Sequence, residues 1–280
     1  GTKPTPTPTP TPTTDDVTIR IDETGDKTVI VASTKINVTL VENVKVEGKI
    51  DQYTVDKAIK KALATAKELK DKETLMEVEI KVGVEGALSD VSVKISALAL
   101  ADVAKSEVDR IRISSPIGSV TLDKNAMESL ITQGSNEFTV IITKIKNETL
   151  EREAADMVKD RPVYQITIMS GGKEITNFNG GKVTVTIPYE LKEGESAHNI
   201  LVYNINNNHQ LEAVSDAKYD AKARQVYFTT SQVGYFTISH EAANTKFSDV
   251  KETDWFAKAL ETLASRRIIV GTSGNRFEPN

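Results

Sequence analysis

The stretch TVDKAIKKALATAKELK, residues 54–70, decides the fold class. Its apolar side chains recur at intervals of three and four residues, which predicts a helix with one apolar stripe made by Val55, Ala58, Ile59, Ala62, Leu63, Ala66 and Leu69. A helix with one apolar stripe needs a second apolar surface to cover it. Strand patterns precede and follow this helix, so we expect the stripe to pack on a sheet.

Alternating segments around the helix predict the strands of that sheet. Residues 17–33, VTIRIDETGDKTVIVAS, predict two strands around a turn at Gly25. Residues 75–84 and 90–96 predict two more, and the first of these places Leu75, Val78, Ile80, Val82 and Val84 largely on one face. The helix and these strands together favour a fold of the α+β class.

Further elements extend this pattern to about residue 160. A second helix is predicted near residues 97–105, followed by a hairpin that turns near Pro116 and Gly118, a helix capped by Asp123, and a strand over 136–145. We therefore expect an α+β spacer domain over 17–160, with helices on one face of a mainly antiparallel sheet. Parallel crossovers are the alternative, because strand, helix and strand units of this length also form them.

From about residue 162 the helical period disappears and short hairpins take over. The predicted strands and turns occupy residues 163–175, 182–191, 199–214, 217–230 and 234–239. Val183, Val185 and Ile187 alternate with polar residues, and Phe236 and Ile238 are expected to point inward. Short strands at such regular spacing predict an all-β sandwich-like domain over 161–243.

The first sixteen residues, GTKPTPTPTPTPTTDD, form a Pro/Thr linker. Alternating proline fixes φ and favours polyproline II, so the segment is expected to act as a semi-rigid spacer rather than as a ligand for an SH3-like domain. Thr5, Thr7, Thr9 and Thr11 are candidates for O-glycosylation. A linker at this position also predicts that another module precedes Gly1.

Composition excludes several classes of partner. The 280 residues carry a formal net charge of −5, so the basic excess of a nucleic-acid-binding protein or of a polybasic membrane-surface segment is absent. There is no cysteine, which excludes disulfides and thiolate metal sites. No apolar run reaches the roughly 18–20 residues that span a bilayer, so membrane insertion is not expected.

The sequence offers little support for catalysis. His198, His209 and His240 lack partners at metal-ligand spacing and are expected at surface or edge positions. The segment IDETGD, residues 21–26, could hold calcium but lacks the alternating ligands of an EF-hand loop, so a hairpin turn is preferred. Phosphate-binding and hydrolase motifs are also absent. We therefore expect no catalytic residue, no cofactor and no metal.

The last segment, residues 247–280, has a specific pattern. Asp254 is expected to cap a helix that runs to about Arg267. A turn rich in glycine follows and ends with Phe277 and Pro279. The apolar face predicted for the helix comprises Trp255, Phe256, Ala259, Leu260, Leu263 and Ala264.

This segment resembles the opening of an S-layer homology repeat. Such repeats have F-x-D-V near the start, W-A in the helix, G-I-I-x-G after it, and F-x-P before a Thr-Arg-Ala-Glu motif. Arg267 stands where the family has glycine, and the Thr-Arg-Ala-Glu motif would lie beyond Asn280. The residues that carry the resemblance are Phe247, Asp249, Val250, Asp254, Trp255, Ala257, Ala259, Leu260, Leu263, Ile268, Ile269, Gly271, Phe277 and Pro279.

The resemblance implies a role in attachment to the cell wall. S-layer homology repeats usually occur in threes and hold the pyruvylated secondary cell wall polymer of Gram-positive bacteria, so residues 244–280 would be the first part of a truncated, polymer-binding repeat. Asp249, Trp255 and Gly271 are the residues that the resemblance marks for the polymer. The stretch 182–214 is also similar to a module placed before such repeats in clostridial surface proteins. With the Pro/Thr linker, the arrangement is similar to anchoring scaffoldins, whose upstream cohesins bind dockerin-bearing proteins.

These observations predict a non-catalytic spacer and wall-proximal region of a secreted cell-surface protein that anchors upstream modules to the wall. The upstream modules are expected to be cohesins of a cellulosome. The alternatives are a subunit of an S-layer lattice, the anchor of an upstream glycoside hydrolase, and central domains that bind glycan themselves. The pattern at 268–280 stops where the family turns into a second helix, so a chosen or proteolytic boundary is expected there.

Overall fold

The helix predicted over residues 54–70 forms as α1 (Gln52–Glu68), and its start is set by the residue before it. The Asp51 carboxylate accepts hydrogen bonds from the backbone N–H of Thr54 at 2.7 Å and from its hydroxyl at 2.8 Å, which satisfies an N–H that the helix itself leaves free. The computed structural model describes residues 17–24, 27–42, 44–69, 73–84, 86–241, 247–265, 268–269 and 276–277.

The strands and the remaining helices are numbered in chain order. The other helices are α2 (Ala97–Lys105), α3 (Lys124–Gln133), α4 (Arg152–Val158) and α5 (Ala257–Ser265), with short 3-10 helices at Asn147–Thr149 and Ala197–Asn199. The strands are β1 (Thr18–Thr24), β2 (Lys27–Ile36), β3 (Val38–Glu42), β4 (Lys45–Ile50), β5 (Thr74–Val82), β6 (Asp90–Ser96), β7 (Arg110–Ser115), β8 (Gly118–Asp123), β9 (Glu137–Ile145), β10 (Val163–Ser170), β11 (Lys173–Glu174), β12 (Val183–Pro188), β13 (Ile200–Ile205), β14 (Leu211–Ala213), β15 (Lys218–Asp220), β16 (Gln225–Thr230) and β17 (Gly234–His240).

Two sheets account for all of these strands. The first has eight strands in the spatial order β1-β2-β5-β7-β8-β12-β16-β15. The second has the order β14-β13-β17-β10-β9-β6-β4-β3, and β11 adds to β10. Three pairings, β2 with β5, β5 with β7 and β4 with β6, are parallel, and the other pairings are antiparallel. The fold is therefore α+β with two mixed sheets, and parallel crossovers occur beside the expected hairpins.

The strands on either side of residue 160 belong to the same two sheets. β9 pairs with β10 from Val163↔Ile145 to Ser170↔Phe138, and β12 lies between β8 and β16. One buried apolar cluster extends from Val17 to Ile238. The segments expected as an α+β domain and as a separate sandwich thus share both sheets and one core, because each covers apolar strand faces of the other.

The first three helices connect the two sheets. Each joins a strand of one sheet to a strand of the other: α1 joins β4 to β5, α2 joins β6 to β7, and α3 joins β8 to β9. They lie side by side and bury apolar faces in the common core. The expectation that they would cover one face of a single sheet is therefore wrong. Beyond the helices the sheets pack directly, with the rings of Phe228 and Phe236 4.8 Å apart.

Most locally predicted elements are confirmed. The hairpins β1–β2, β7–β8, β10–β11, β13–β14 and β15–β16 form, and the Asp123 carboxylate caps α3 by accepting the N–H of Ala126 at 2.8 Å. Phe236 and Ile238 are buried, as expected. The helix α4 and the hairpin of β3 and β4 were not predicted, because neither shows a clear apolar period.

The outer face of the first sheet carries a buried charge network. Along β5 the core side is Met76, Val78, Ile80 and Val82, so Met76 takes the place expected for Leu75. The opposite side carries Glu77, which is 0% exposed and forms ion pairs with Arg110 and Arg112 on β7.

Glu79 is held in the same row as Glu77. Its carboxylate accepts hydrogen bonds from the Ser33 hydroxyl at 2.5 Å and the Ser114 hydroxyl at 3.0 Å, and it lies 3.3 Å from the Lys81 ammonium. Burial acts to raise the pKa of Glu79, but the Ser33 bond, the Lys81 charge, the Ser114 bond and the Arg112 charge outweigh it and hold the pKa below its ordinary value of 4.5.

The lowered pKa of Glu79 predicts a loss of stability in acid. The stabilisation that its carboxylate contributes is present above pH 4.5, the ordinary value, and is lost as the pH falls below it. We expect Glu79→Gln to lower the free energy of unfolding at pH 7 by about 1–3 kcal/mol and to flatten its dependence on pH in acid. Urea unfolding at pH 7 and at lower pH measures both effects. Glu47→Gln, at an exposed position on β4, is the control, and equal losses in the two variants would contradict the prediction.

The shared structure predicts one unfolding transition for residues 17–241. A methyl group at Gly181 would lie 2.3 Å from the backbone N of Ala126 at the start of α3, so Gly181→Ala must displace a contact between the two segments. We expect a cost of about 1–3 kcal/mol in a single cooperative transition. At Gly83 the nearest atom would be 3.6 Å away, and Gly83→Ala should be close to neutral. Two separate transitions, with only one shifted by Gly181→Ala, would show that the segments fold independently.

Candidate functional site

The segment after β17 begins with two tight turns. The N–H of Val250 donates to the carbonyl of Phe247 at 3.1 Å, and the N–H of Asp254 donates to the carbonyl of Lys251 at 3.0 Å. The Asp254 carboxylate accepts the N–H of Lys251 at 2.8 Å, which closes the second turn. The prediction that Asp254 caps the helix is therefore wrong, since its side chain points back along the chain while its carbonyl accepts the N–H of Ala257.

A small aromatic core holds this segment together. Phe247, Leu260 and Ala264 are buried, and Val250, Phe256, Ile269 and Phe277 pack against them. The ring of Phe277 lies 5.6 Å from that of Phe247 and 6.0 Å from that of Phe256. The helix α5 therefore supplies only part of the core, and the residues that flank it supply the remainder.

Trp255 lies outside this core. It is 94% exposed, with its ring in an edge contact 5.6 Å from Phe256. The predicted apolar face is confirmed at Phe256, Leu260 and Ala264 and wrong at Trp255 and Ala259. The helix α5 begins at Ala257, and the preceding turn directs Phe256 inward and Trp255 outward. A large aromatic side chain at the surface is a common component of binding sites.

Asp249 connects the beginning of the segment to its end. Its carboxylate accepts the N–H of Phe277 at 2.8 Å and lies 4.0 Å from the Arg276 guanidinium, and its side chain is 17% exposed. This contact spans 28 residues and brings the last aromatic residue onto Phe247. Asp249 is thus engaged within the segment, whereas Trp255 is free to contact a ligand.

A groove of about 400 Å³ lies between the opening turns and α5. Its floor contains Phe247, Val250 and Leu260. Charged residues of both signs follow along its sides, namely Lys251, Glu252, Lys258 and Glu261. Sequence reasoning placed Lys258 and Glu261 correctly on the outer side of the helix but missed the groove, which depends on the fold of the preceding turns.

Other predicted site residues fall elsewhere. Gly271 and the linker residues Thr5, Thr7, Thr9 and Thr11 lie outside the described residues. His198 is exposed, while His209 lies 3.2 Å from Glu151 and His240 accepts the N–H of Ser196 at 3.0 Å. Asp22 pairs with Arg20 in the β1–β2 hairpin, whose turn at residues 25–26 is not described.

The described residues contain no group of three side chains placed to hold a metal ion. Nor do they contain a helix that is long and apolar enough to cross a membrane.

The different positions of Asp249 and Trp255 predict different effects on substitution. Asp249→Ala removes a charged acceptor, so we expect hydrogen exchange at the Phe277 amide to become about tenfold faster or more. Trp255→Ala removes an exposed side chain and should leave that exchange rate unchanged. Hydrogen–deuterium exchange of peptides that contain Phe277 measures both. Equal protection in the two variants would show that the Asp249 contact does not order the segment.

Comparisons with known proteins identify the same segment. Residues 246–280 match the S-layer homology domain family. The chain is also 34% identical over 76 residues to exoglucanase XynX of Acetivibrio thermocellus, an alignment that covers 26% of this chain and 7% of that protein. The chain thus spans a small part of the relative's length. Residues 246–280 therefore carry S-layer homology sequence, as their residue pattern predicted.

Proposed function

We propose that this chain is a non-catalytic spacer and the wall-proximal region of a bacterial surface protein that is anchored through S-layer homology repeats. The observation that carries the proposal is the S-layer homology match at residues 246–280, which follows directly after the last strand of the large folded unit. Both halves of that unit share its main core and its two sheets, so the unit is suited to act as a rigid spacer.

The partner of the anchor is a cell wall polymer. In this proposal Trp255, at the surface, and the groove bounded by Lys251 and Lys258 contact the polymer. Asp249 acts indirectly, by holding Phe277 against the aromatic core. Gly271 would contribute through the turn that follows α5. Because such repeats work in sets, the segment by itself is expected to bind weakly.

The modules upstream of the linker are the cargo. We propose that they are cohesins that bind dockerin-bearing proteins, in a protein secreted by a Gram-positive bacterium. In this proposal the linker keeps them away from the wall, with O-glycosylation at Thr5, Thr7, Thr9 and Thr11. The second candidate is a glycoside hydrolase, which is favoured by one observation, the name of the relative XynX as an exoglucanase. The sequence that precedes Gly1 in the parent protein distinguishes the two.

The anchoring role predicts how three forms of the chain behave with purified cell walls. A form that ends at residue 241 should bind least, the 280-residue chain should bind weakly, and a form extended with complete S-layer homology repeats should bind at least tenfold more tightly than either, because the repeats build the polymer site together. Sedimentation with walls from a bacterium that displays such proteins measures this.

Controls separate the anchor from other contacts. Walls stripped of their secondary polymer should lose the additional binding that the extended form shows. Trp255→Ala should weaken the extended form more than Tyr53→Ala, which removes another exposed aromatic residue far along the chain on α1. If the form ending at residue 241 sediments as well as the extended form, anchoring through S-layer homology sequence is not the mechanism.

A further inference from the structure

A second cavity lies in the large folded unit, on the outer face of the second sheet. Its volume is about 410 Å³, which is within the range of about 300–1,000 Å³ that is typical of small-molecule sites. It is bordered by the segment of α4 on one side and by the turn between β13 and β14 on the other. None of the residues that carry the S-layer homology resemblance lines it.

The floor of this cavity is apolar and aromatic. Ile205 on β13 and Tyr235 on β17 are direct cross-strand partners, so both side chains lie on the same outer face. Leu150 packs against the small buried cluster that contains Ile205. Tyr235 is nonetheless 37% exposed, because α4 has only seven residues and is too short to cover the whole sheet face.

The sides of the cavity carry polar groups that can donate and accept hydrogen bonds. Asn207 stands at the tip of the β13–β14 turn, and His209 lies 3.2 Å from the Glu151 carboxylate across the opening. In the part of the chain that the structure describes, neither the Asn207 amide nor the Tyr235 hydroxyl has a hydrogen-bond partner. These two groups are therefore available to a ligand.

Both sides are held in place before any ligand arrives. Asn147 donates hydrogen bonds to the carbonyls of Lys159 and Arg161, which fixes the chain on both sides of α4. Asn206 accepts the N–H groups of Asn208 and Gln210, both at 2.9 Å, and so shapes the turn that presents Asn207 and His209. A preformed site loses less conformational entropy on binding than a flexible one.

We propose that this cavity binds one or two pyranose units of a glycan. A pyranose presents an apolar C–H face, which fits the Tyr235 ring, and hydroxyls at its edge, which fit the Asn207 amide, the Glu151 carboxylate and the Tyr235 hydroxyl. An anionic ligand is disfavoured, because the Glu151 carboxylate at the cavity would repel it. A fully apolar ligand would leave the amide and the hydroxyl without partners.

The glycan could come from the cell wall or from an external polysaccharide, and both sources share this chemistry. Titration calorimetry of the 280-residue chain with chitohexaose, cellohexaose and xylohexaose as probes tests both sources. Chitohexaose carries N-acetylated amino sugars, as cell wall glycan does, whereas cellohexaose and xylohexaose carry the unmodified sugars of external polysaccharides. We expect at least one of the three to bind, and the probe that binds best identifies the source. If none of them binds, the proposal is wrong.

Matched variants locate the binding. Asn207→Ala, at an exposed turn, and Tyr235→Ala should each weaken binding about tenfold or more. Tyr227→Ala is the control, because Tyr227 is also 37% exposed but lies on β16 in the other sheet, and it should change the affinity less than twofold. Asn207→Ala keeps the test valid if Tyr235→Ala disturbs β17. Equal affinities for Asn207→Ala and Tyr227→Ala would place the binding elsewhere and overturn the proposal, whatever the outcome of wall anchoring.

Discussion

Two antiparallel pairings, β8 with β12 and β9 with β10, determine the architecture of this protein. Each joins a strand from before residue 160 to a strand from after it, and each lies in the middle of a sheet. If the pairings were absent, β8 and β9 would become edge strands with free backbone groups and exposed apolar sides. The three helices that connect the sheets, and the core they bury, depend on both sheets being complete.

The same architecture explains how acidic residues come to be buried on an outer face. Glu77 and Glu79 lie on β5, a strand in the interior of the first sheet, where neighbouring side chains exclude water from both sides. A buried carboxylate is costly unless it is paired, and the parallel register with β7 places Arg110 beside Glu77 and Arg112 beside Glu79. The register of one strand pair thus decides whether this face of the sheet is stable.

Local features could be read from the sequence, and features set by distant contacts could not. The helices α1, α2 and α3 and five hairpins follow from short periods, from the cap Asp123, and from turn residues. The pairing of β12 with β8 joins residues some 60 positions apart, and no local pattern indicates it. Separate domains were expected because the helical period stops near residue 160, but a change in period is not a boundary when the strands on both sides pair.

In the candidate site, too, local features could be predicted from the sequence and features set by distant contacts could not. The motif that includes Phe247, Asp249 and Trp255 could be recognised in the sequence, because a family pattern depends on residue identity and spacing. The side to which Trp255 points could not be predicted, because it depends on where α5 begins. The start of α5 depends in turn on the packing of Phe256 on Phe277. The cavity beside Tyr235 had no signal at all, since Leu150, Asn207 and Tyr235 meet only after β13 and β17 pair.

The position of β17 relates the two proposed functions to each other. This strand is paired on both sides, with β10 and with β13. Its last residue, His240, lies a few residues before the S-layer homology segment at residues 246–280, which is the proposed anchor. A load applied through the anchor therefore enters an interior strand, which cannot separate without breaking two ladders of hydrogen bonds. β1, which follows the linker, lies at the edge of the first sheet and pairs with β2 alone among the described strands. Tyr235 lies on β17 itself, so a glycan bound there would rest on the strand that the proposed wall attachment would hold in place.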